Sequence, residues 1–310
     1  MALCVSMNEN GVSPFSSSNV TILWFSISRD SNLDHPYQNL RPDLVIDAVE
    51  SMGVVSDQRI FPLNSYENRV YQVGIEDGVP LIAKFYRPER WSNEAILEEH
   101  AYTKQLLLQD ISVVEPLEFD GKTLHTYDGY RFALFRRQGG YAPEIDSPDT
   151  LFRIGRNIGR IHQAGAGKPF EHRRSLSIEH WADASRSFLL ENDFIPKSLL
   201  PAYETLSADL ITKMKNLWSS HPFTPIKLHG DCHIGNILWR DDLAHFVDFD
   251  DCINGPAIQD IWLMLSGDRA QQSSQLIEFI EGYEEFYEFD PRQLNLIETL
   301  RTMRMMYYAA

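Results

Sequence analysis

The strongest constraint on the fold is a pair of short segments late in the chain. Residues 228–239 form a polar loop that runs into an apolar strand, and residues 246–251 form an apolar strand that ends in carboxylates. The linker between them, 240–244, is turn-like in composition. Two strands joined by so short a linker predict an antiparallel β-hairpin.

Three oxygen-bearing side chains flank this predicted hairpin. Asp231 and Asn236 lie at its entrance, and Asp248 lies at its exit. Because antiparallel pairing returns the exit to the entrance, these side chains should converge on one small volume. Mg²⁺ prefers oxygen ligands and is usually held by one or two protein side chains together with substrate phosphates. The hairpin therefore predicts a site for a hard cation and phosphate.

Composition limits the functions that such a site can serve. The chain has 310 residues, a formal net charge of -16 and a pI near 5.0. A general nucleic-acid-binding surface is not expected, because phosphate affinity comes from clustered Lys and Arg. Three cysteines are too few for a disulfide framework and indicate a reducing, cytoplasmic location. No segment predicts a signal peptide or the roughly 20 apolar residues of a membrane span.

The order of the predicted elements indicates an α+β chain with two lobes. Residues 1–38 are expected to be a disordered extension, in which only 20–27 has the pattern of a short strand. Residues 39–137 predict a small antiparallel sheet packed with a helix, and residues 138–310 predict a mainly helical lobe that holds the hairpin. The last helical stretch reaches Ala310 without a terminating signal, so we expect the chain to lack its final helices.

A single lysine stands inside the third predicted strand of the sheet. Residues 81–86 are apolar apart from Lys84. A buried ammonium group is costly unless it is paired, so Lys84 either points to solvent or meets a carboxylate. The next predicted helix, which Ser92 caps, carries Glu98 and Glu99. Either glutamate could pair with Lys84 if this helix packs beside the strand.

The order of lysine strand, glutamate helix and polar loop resembles the protein-kinase superfamily, in which H-R-D-L-x-x-x-N precedes D-F-G. Here H-G-D at 229–231 precedes Asn236 by the same offset, and D-F-D at 248–250 stands at the D-F-G position. Gly230 replaces the arginine and Asp250 replaces the glycine, and no G-x-G-x-x-G precedes the strand lysine. These departures resemble the aminoglycoside-phosphotransferase-like branch, whose loop has the pattern H-G-D-x-H-x-x-N.

Longer segments are similar to one family within that branch, the stress response kinase A family of bacterial Ser/Thr protein kinases. They are 63–71, 84–91, 228–240 and 254–260, and the resemblance runs from about residue 35 to the C-terminus. It implies a bilobal protein-kinase-like fold that transfers the ATP γ-phosphate to a protein hydroxyl with Mg²⁺. We therefore expect a monomeric phosphoprotein of the stress response, with ATP and a Ser/Thr-bearing protein as its partners.

The resemblance also implies roles for the residues of the hairpin. Asp231 would orient the acceptor hydroxyl for in-line attack, with Asp248 as the second catalytic carboxylate. Asn236 and Asp248 would hold the Mg²⁺ that bridges the ATP phosphates. Asp260 would stabilise the loop through its backbone, and Asp250 is a further candidate metal ligand.

Three residues outside the hairpin would bind the nucleotide according to the same resemblance. Lys84 would contact the α- and β-phosphates and pair with a helix glutamate. The family pattern favours Glu99 over Glu98 as that partner. Ser65 would lie on the turn over the phosphates, and the segment after Phe135 would form the hinge to adenine.

Other interpretations of the site remain open. His229, Cys232 and His233 are residue types that bind zinc, although the usual spacings of zinc ligands are absent. The fold branch also contains kinases of small molecules such as aminoglycosides, choline and homoserine, so a small-molecule acceptor is the main alternative to a protein. The third alternative is a catalytically weak, nucleotide-binding pseudokinase. The complete set of candidate catalytic residues argues against it.

Overall fold

A computed structural model describes residues 36–65 and 67–310 of the chain. The first 35 residues of the predicted extension, including the strand proposed for 20–27, lie outside the described residues. Tyr37, which was also predicted to belong to the extension, is instead buried in the core beneath the sheet. Its hydroxyl donates a hydrogen bond to the backbone carbonyl of Phe85.

The first half of the described chain forms a five-stranded antiparallel sheet with two helices. Its strand order is β1-β2-β3-β5-β4, so β3 lies at the centre. The sequence pattern of residues 113–119 also predicts a strand, but in the structure this segment forms only isolated bridges. The elements are α1 (Pro42–Glu50), β1 (Ser56–Leu63), β2 (Arg69–Ile75), β3 (Leu81–Phe85), α2 (Asn93–Leu107), β4 (His125–Tyr127) and β5 (Tyr130–Arg136).

The second half is mainly helical and contains four short strands. Its elements are α3 (Pro148–Gly165), α4 (Ala184–Glu191), α5 (Leu200–Ser220), β6 (Ile226–Leu228), β7 (Ile237–Arg240), β8 (Leu243–Phe246), β9 (Ile253–Gly255), α6 (Ile258–Trp262), α7 (Arg269–Tyr283) and α8 (Ile297–Ala309). Together the two halves confirm the predicted α+β class. No helix within 36–65 and 67–310 is both long and apolar enough to cross a membrane.

The predicted hairpin is the antiparallel pair β7–β8. Ile237 pairs with Phe246, and Arg240 pairs with Leu243. The two turn residues between them both have positive φ, which is the geometry of a type I′ hairpin turn and which aspartate tolerates better than most residues. Phe246 is fully buried, so the hairpin lies on the core of the helical half.

Helices α3 and α7 pack closely and form the base of that core. Gly155 and Gly159 on α3 face the backbone of α7, where an added Cβ would collide with the carbonyl oxygens of Phe279 and Tyr283. Glycine at these positions therefore permits an approach that any larger residue would prevent. The small residues of this helix also predict close packing from the sequence, and the structure shows it.

Acid should weaken the fold through His100, a buried residue of α2. Its Nε2 lies 2.7 Å from the Tyr86 hydroxyl and its Nδ1 lies 2.7 Å from Thr123 Oγ1. Burial, with the charges of Lys84 and Arg173, lowers the pKa of His100 to about 3. The unfolded chain takes up this proton near pH 6.5, so the contribution to stability is complete above that pH and is lost as the pH falls toward 3.

The free energy of unfolding should fall between pH 7.5 and pH 5 in both the parent and His100→Gln. We expect the fall to be about 2 kcal/mol smaller in His100→Gln, which lacks the buried imidazole. Urea unfolding at the two pH values measures this difference. The exposed His172 offers the control, since His172→Gln should keep the parent's pH dependence. Identical pH dependence in all three proteins would contradict the prediction.

Candidate active site

Lys84 is buried at the centre of the sheet and meets three carboxylates. It stands on β3, between Val70 of β2 and Ala133 of β5, and its side chain is only 7% exposed. Three ion pairs surround its Nζ, which lies 3.3 Å from Glu99 Oε1, 3.3 Å from Asp248 Oδ1 and 3.2 Å from Asp250 Oδ1. The lysine therefore does not point to solvent, and it joins the sheet, helix α2 and the segment after β8.

The surrounding carboxylates keep Lys84 charged. Burial by itself would lower the pKa of its ammonium group. The negative charges of Asp250, Glu99 and Asp248 outweigh that effect and raise the pKa well above its ordinary value. A permanent positive charge at this position suits contact with phosphate oxygens.

Asp250 is a buried counter-ion in this cluster. Besides Lys84, its carboxylate contacts the guanidinium of Arg90, whose second nitrogen lies 2.7 Å from Asp251 Oδ1. These cations hold the pKa of Asp250 well below its usual range, although burial alone would raise it. Both of its oxygens thus face protein cations, which points to charge balance more than to metal binding.

Helix α2 is tied to the helical half by both of its candidate glutamates. The carboxylate of Glu98 accepts hydrogen bonds from the backbone N–H groups of Glu171, His172 and Arg173, at 2.7, 2.7 and 3.0 Å. Glu99 Oε2 lies 3.0 Å from Nη2 of the buried Arg173. Glu99 thus lies between Lys84 and Arg173, whereas Glu98 stabilises a loop.

Arg173 extends this tie to the segment after β8. Its guanidinium donates to the backbone carbonyls of Ala95 and Asp250 and lies over the Trp91 ring, 4.4 Å from the centroid. Its side chain has no exposed surface. One buried cation therefore connects helix α2, the lysine's partner Glu99 and the D-F-D segment.

The loop before the hairpin has a conformation that only glycine permits. Gly230 has φ +88°, and an added Cβ would collide with the carbonyl oxygen of Asp251. Asp260 accepts hydrogen bonds from the N–H groups of His229 and Gly230, at 2.7 and 2.8 Å. These bonds agree with the predicted stabilising role of Asp260, and the crowding explains why arginine does not occupy position 230.

Asp231 follows this glycine, and its carboxylate contacts the positively charged Arg304 and the titratable His233. Its Oδ1 lies 2.8 Å from Nη2 of Arg304 on α8, and its Oδ2 lies 3.5 Å from Nε2 of His233. Burial alone would raise the pKa of Asp231, but the His233 and Arg304 contacts outweigh it and hold the pKa well below its usual range. The carboxylate is therefore ionised at neutral pH and can accept a hydrogen bond from a hydroxyl group.

Asn236 and Asp248 lie side by side and offer the oxygens that Mg²⁺ prefers. The backbone N–H of Val247 donates to the Asn236 carbonyl at 3.0 Å, so Asp248 directly follows a residue paired with Asn236. The side-chain amide nitrogen of Asn236 donates to the Asp231 carbonyl at 2.9 Å, which leaves its amide oxygen to face a cation. Asp248 has a left-handed backbone, with φ 61°, and a carboxylate that is 54% exposed.

This donor set fits a magnesium ion that also uses substrate oxygens. Two protein oxygens are the usual protein share of such a site. Within 36–65 and 67–310, no three His, Cys, Asp or Glu side chains cluster as a metal site of their own. Of the residue types considered for zinc, Cys232 is buried in the core, and His229 Nε2 lies 2.9 Å from the Val247 carbonyl.

The remaining candidates lie on the sheet side. Ser65 lies half-buried on the turn between β1 and β2. The segment after Phe135 leaves β5 at Arg136 and then pairs through Tyr141 with Trp239 of the hairpin. Strand β5 itself runs beside β3, with Ala133 opposite Lys84 and Arg136 opposite Leu81, so the connection leaves the sheet three positions along from Lys84.

The fold and this arrangement define a class of protein with a kinase-like active site. A family model described as the phosphotransferase enzyme family, APH, matches residues 59–297. The chain belongs to that family. Its class is therefore a phosphotransferase, in agreement with the prediction from the loop and hairpin.

Relatives that match most of this chain make the family assignment more specific. Stress response kinase A of Escherichia coli (strain K12) is 44% identical over 280 residues, which cover 90% of this chain and 85% of that protein. Serine/threonine protein kinase RdoA of Salmonella typhimurium is 43% identical over 274 residues, covering 88% and 83%. The resemblance predicted from the sequence segments is thus confirmed.

Solved structures share the fold at low sequence identity. A structure of amicoumacin kinase in complex with AMP-PNP and Ca²⁺ has a TM-score of 0.68 at 21% identity, covering 81% of this chain and 80% of that one. Spectinomycin phosphotransferase in complex with ADP and spectinomycin has a TM-score of 0.67 at 16% identity, covering 86% and 87%. These similarities establish the protein-kinase-like fold.

The sequence alone did not single out Arg90, Arg173 or Arg304. Each contacts a carboxylate of the cluster from more than 70 positions away, at Asp250, Glu99 and Asp231 respectively. One feature of the sequence did indicate that such cations exist: several candidate carboxylates in one buried site require positive charges to balance them. That feature predicts their presence, but it does not say which arginines they are.

Proposed function

We propose that this chain is a Mg-ATP-dependent Ser/Thr protein kinase. The observation that carries the proposal is the ion pair between Lys84 and Asp248, at 3.3 Å. It brings the phosphate-binding lysine of the sheet against the carboxylate at the hairpin exit. Asn236 and Asp231 lie at the entrance of the same hairpin, so the groups that phosphoryl transfer requires surround one volume.

Each residue has a role in this reaction that follows from its surroundings. Lys84 binds the α- and β-phosphates, and Glu99 keeps its ammonium group in place. Asn236 and Asp248 would hold Mg²⁺, which would supply positive charge to the phosphate oxygens. Asp231, ionised and only partly exposed, accepts the hydrogen bond of the acceptor hydroxyl and aims its oxygen at the γ-phosphorus.

Two further segments bind the nucleotide in this proposal. Ser65 and the turn that carries it cover the phosphates, and the segment after Phe135 receives the adenine. Since the transition state of phosphoryl transfer has little covalent demand, orientation and charge account for most of the catalysis. Asp231 therefore needs a fixed position more than a high basicity.

The choice of a protein acceptor is supported by the full-length relatives, one of which is named a serine/threonine protein kinase at 43% identity. The same relatives support a role in the stress response. Solved structures of the same fold are named for small acceptors such as spectinomycin, but at 16% identity they support only the fold. We further propose that the reaction takes place in the cytoplasm, where ATP is available and the buried thiols of Cys232 and Cys252 stay reduced.

Incubation of the purified protein with Mg²⁺ and γ-³²P-ATP tests this function. We expect autophosphorylation and transfer to casein, with phosphoserine or phosphothreonine as the labelled amino acid. Transfer only to aminoglycosides, choline or homoserine would contradict the protein acceptor and favour the small-molecule alternative. Nucleotide binding without any transfer would favour the pseudokinase.

A further inference from the structure

Arg304 is the guanidinium group that contacts the carboxylate of Asp231. It belongs to α8, and the contact joins Nη2 to Oδ1 at 2.8 Å. The two side chains are only 21% and 18% exposed. The contact is an ion pair and not a hydrogen bond, because Asp231 Oδ1 has no hydrogen-bond partner among the described residues. A charge pair this close and this well shielded is screened much less than a surface pair, so electrostatic attraction favours this arrangement of the two side chains.

The other cations of the site are occupied elsewhere. Lys84 faces the carboxylates of Glu99, Asp248 and Asp250, Arg90 faces the Asp250–Asp251 pair, and Arg173 faces Glu99. Position 230 cannot carry a cation, because glycine alone fits there. Within the described residues, His233 lies 3.5 Å from Asp231 Oδ2 and is charged only when protonated, whereas Arg304 of α8 brings a guanidinium to Oδ1.

Aromatic contacts hold that helix and its arginine in place. The guanidinium of Arg304 lies over the Tyr308 ring, 4.7 Å from the centroid. The next ring, Tyr307, stacks on Trp181 with centroids 5.0 Å apart. The guanidinium thus reaches Asp231 from a support that is itself fixed, and its orientation is set before any substrate binds.

We propose that Arg304 is a positioning residue, which holds the Asp231 carboxylate so that one of its oxygens stays directed at the attacking hydroxyl. This inference rests on the proposed function. The ion pair with Arg304 involves Oδ1, His233 lies 3.5 Å from Oδ2, and an ionised carboxylate has about four lone-pair sites. Arg304 therefore leaves room on Asp231 for the acceptor, and the C-terminal helix becomes part of the catalytic apparatus.

The test compares Arg304→Met and Arg304→Lys with the parent, with transfer to casein and hydrolysis of Mg-ATP as two readouts. We expect kcat of the Met variant to fall about 10- to 100-fold in both readouts, because misplacing a reacting group has a cost of this order. KM for ATP should stay within about twofold, since Arg304 contacts none of the proposed nucleotide-binding residues. Lysine should restore part of kcat, because it keeps the charge but lacks the planar fork.

The control lies one turn earlier on the same helix. Arg301 pairs with Glu298 of α8 at 2.8 Å and makes no contact with Asp231, so Arg301→Met should keep the parent's kcat within about twofold. Thermal unfolding of all variants checks that they fold. An unchanged kcat in Arg304→Met would overturn the inference, and a raised kcat would also overturn it by showing that the guanidinium blocks Asp231. A parent that hydrolyses ATP but does not label protein would contradict the proposed function, and the hydrolysis readout would still decide the role of Arg304.

Discussion

Asp231→Asn should lower kcat for phosphoryl transfer by about 10²- to 10⁴-fold, with the affinity for ATP nearly unchanged. The substitution keeps the shape of the side chain but removes the negative charge that attracts the acceptor hydroxyl. Asp231 makes no contact with Lys84 or with the carboxylate of Asp248 in the described structure, so nucleotide binding should not depend on it. Rates with γ-³²P-ATP and titration with a fluorescent ATP analogue measure the two quantities separately.

A matched control for this change lies in the turn of the same hairpin. Asp241 is exposed and has a positive φ of 51°, which asparagine also tolerates. Asp241→Asn should therefore keep the parent's kcat within about twofold. Phosphoryl transfer by Asp231→Asn at the parent's rate would contradict the assignment of the catalytic carboxylate.

Arg173→Met should lower the free energy of unfolding by about 3–5 kcal/mol, because it removes one of the two cations that the buried Glu99 faces and the donor of two backbone carbonyls. Methionine has a similar length but supplies neither charge nor donors. Glu99 would lose its 3.0 Å contact, and the backbone carbonyl of Ala95 would lose its donor at 2.8 Å. Since Glu99 also holds Lys84, we expect KM for ATP to rise together with the loss of stability.

Urea unfolding followed by circular dichroism measures the stability, and steady-state kinetics measure KM. The neighbouring Arg174 is exposed, so Arg174→Met should change the unfolding free energy by no more than about 0.5 kcal/mol. Equal unfolding free energies for the two variants would show that the buried network around Arg173 is not a source of stability. If Arg173→Met is destabilised but has a normal KM for ATP, then Arg173 contributes to stability and not to nucleotide affinity.

Local patterns predicted most of the scaffold of the site. The two apolar strands around a short polar turn predicted the hairpin, which the structure forms as β7–β8. Ser92 predicted the start of α2, where its hydroxyl accepts a hydrogen bond from the Ala95 N–H. These features depend on residues only a few positions apart, so the local sequence is sufficient to predict them. The segment 113–119 was predicted wrongly as a strand, because a β-like pattern does not specify a pairing partner.

Residue types limited the partner of Lys84 to Glu98 or Glu99, and only the resemblance to the family favoured Glu99, which is the residue that pairs with Lys84 in the structure. Glu98 and Glu99 are adjacent on one helix, and they point in different directions because successive helical residues are about 100° apart. The packing angle of α2 on the sheet decides that Glu99 meets Lys84 while Glu98 accepts three backbone N–H groups of the helical half. Only the assembled structure contains that angle.

By itself the sequence identified the candidate site residues: a lysine on a strand, an H-G-D loop, and an asparagine and an aspartate around a hairpin. The loop and hairpin residues are close in the chain, so residue types and spacing suffice to find them, and Lys84 is recognisable as the one charged residue of an apolar strand. The tertiary structure decided how the charges are balanced, with Arg173 at Glu99 and Arg304 at Asp231. Ion pairs between distant segments have no sequence signature, because electrostatic attraction depends on distance in space and on burial.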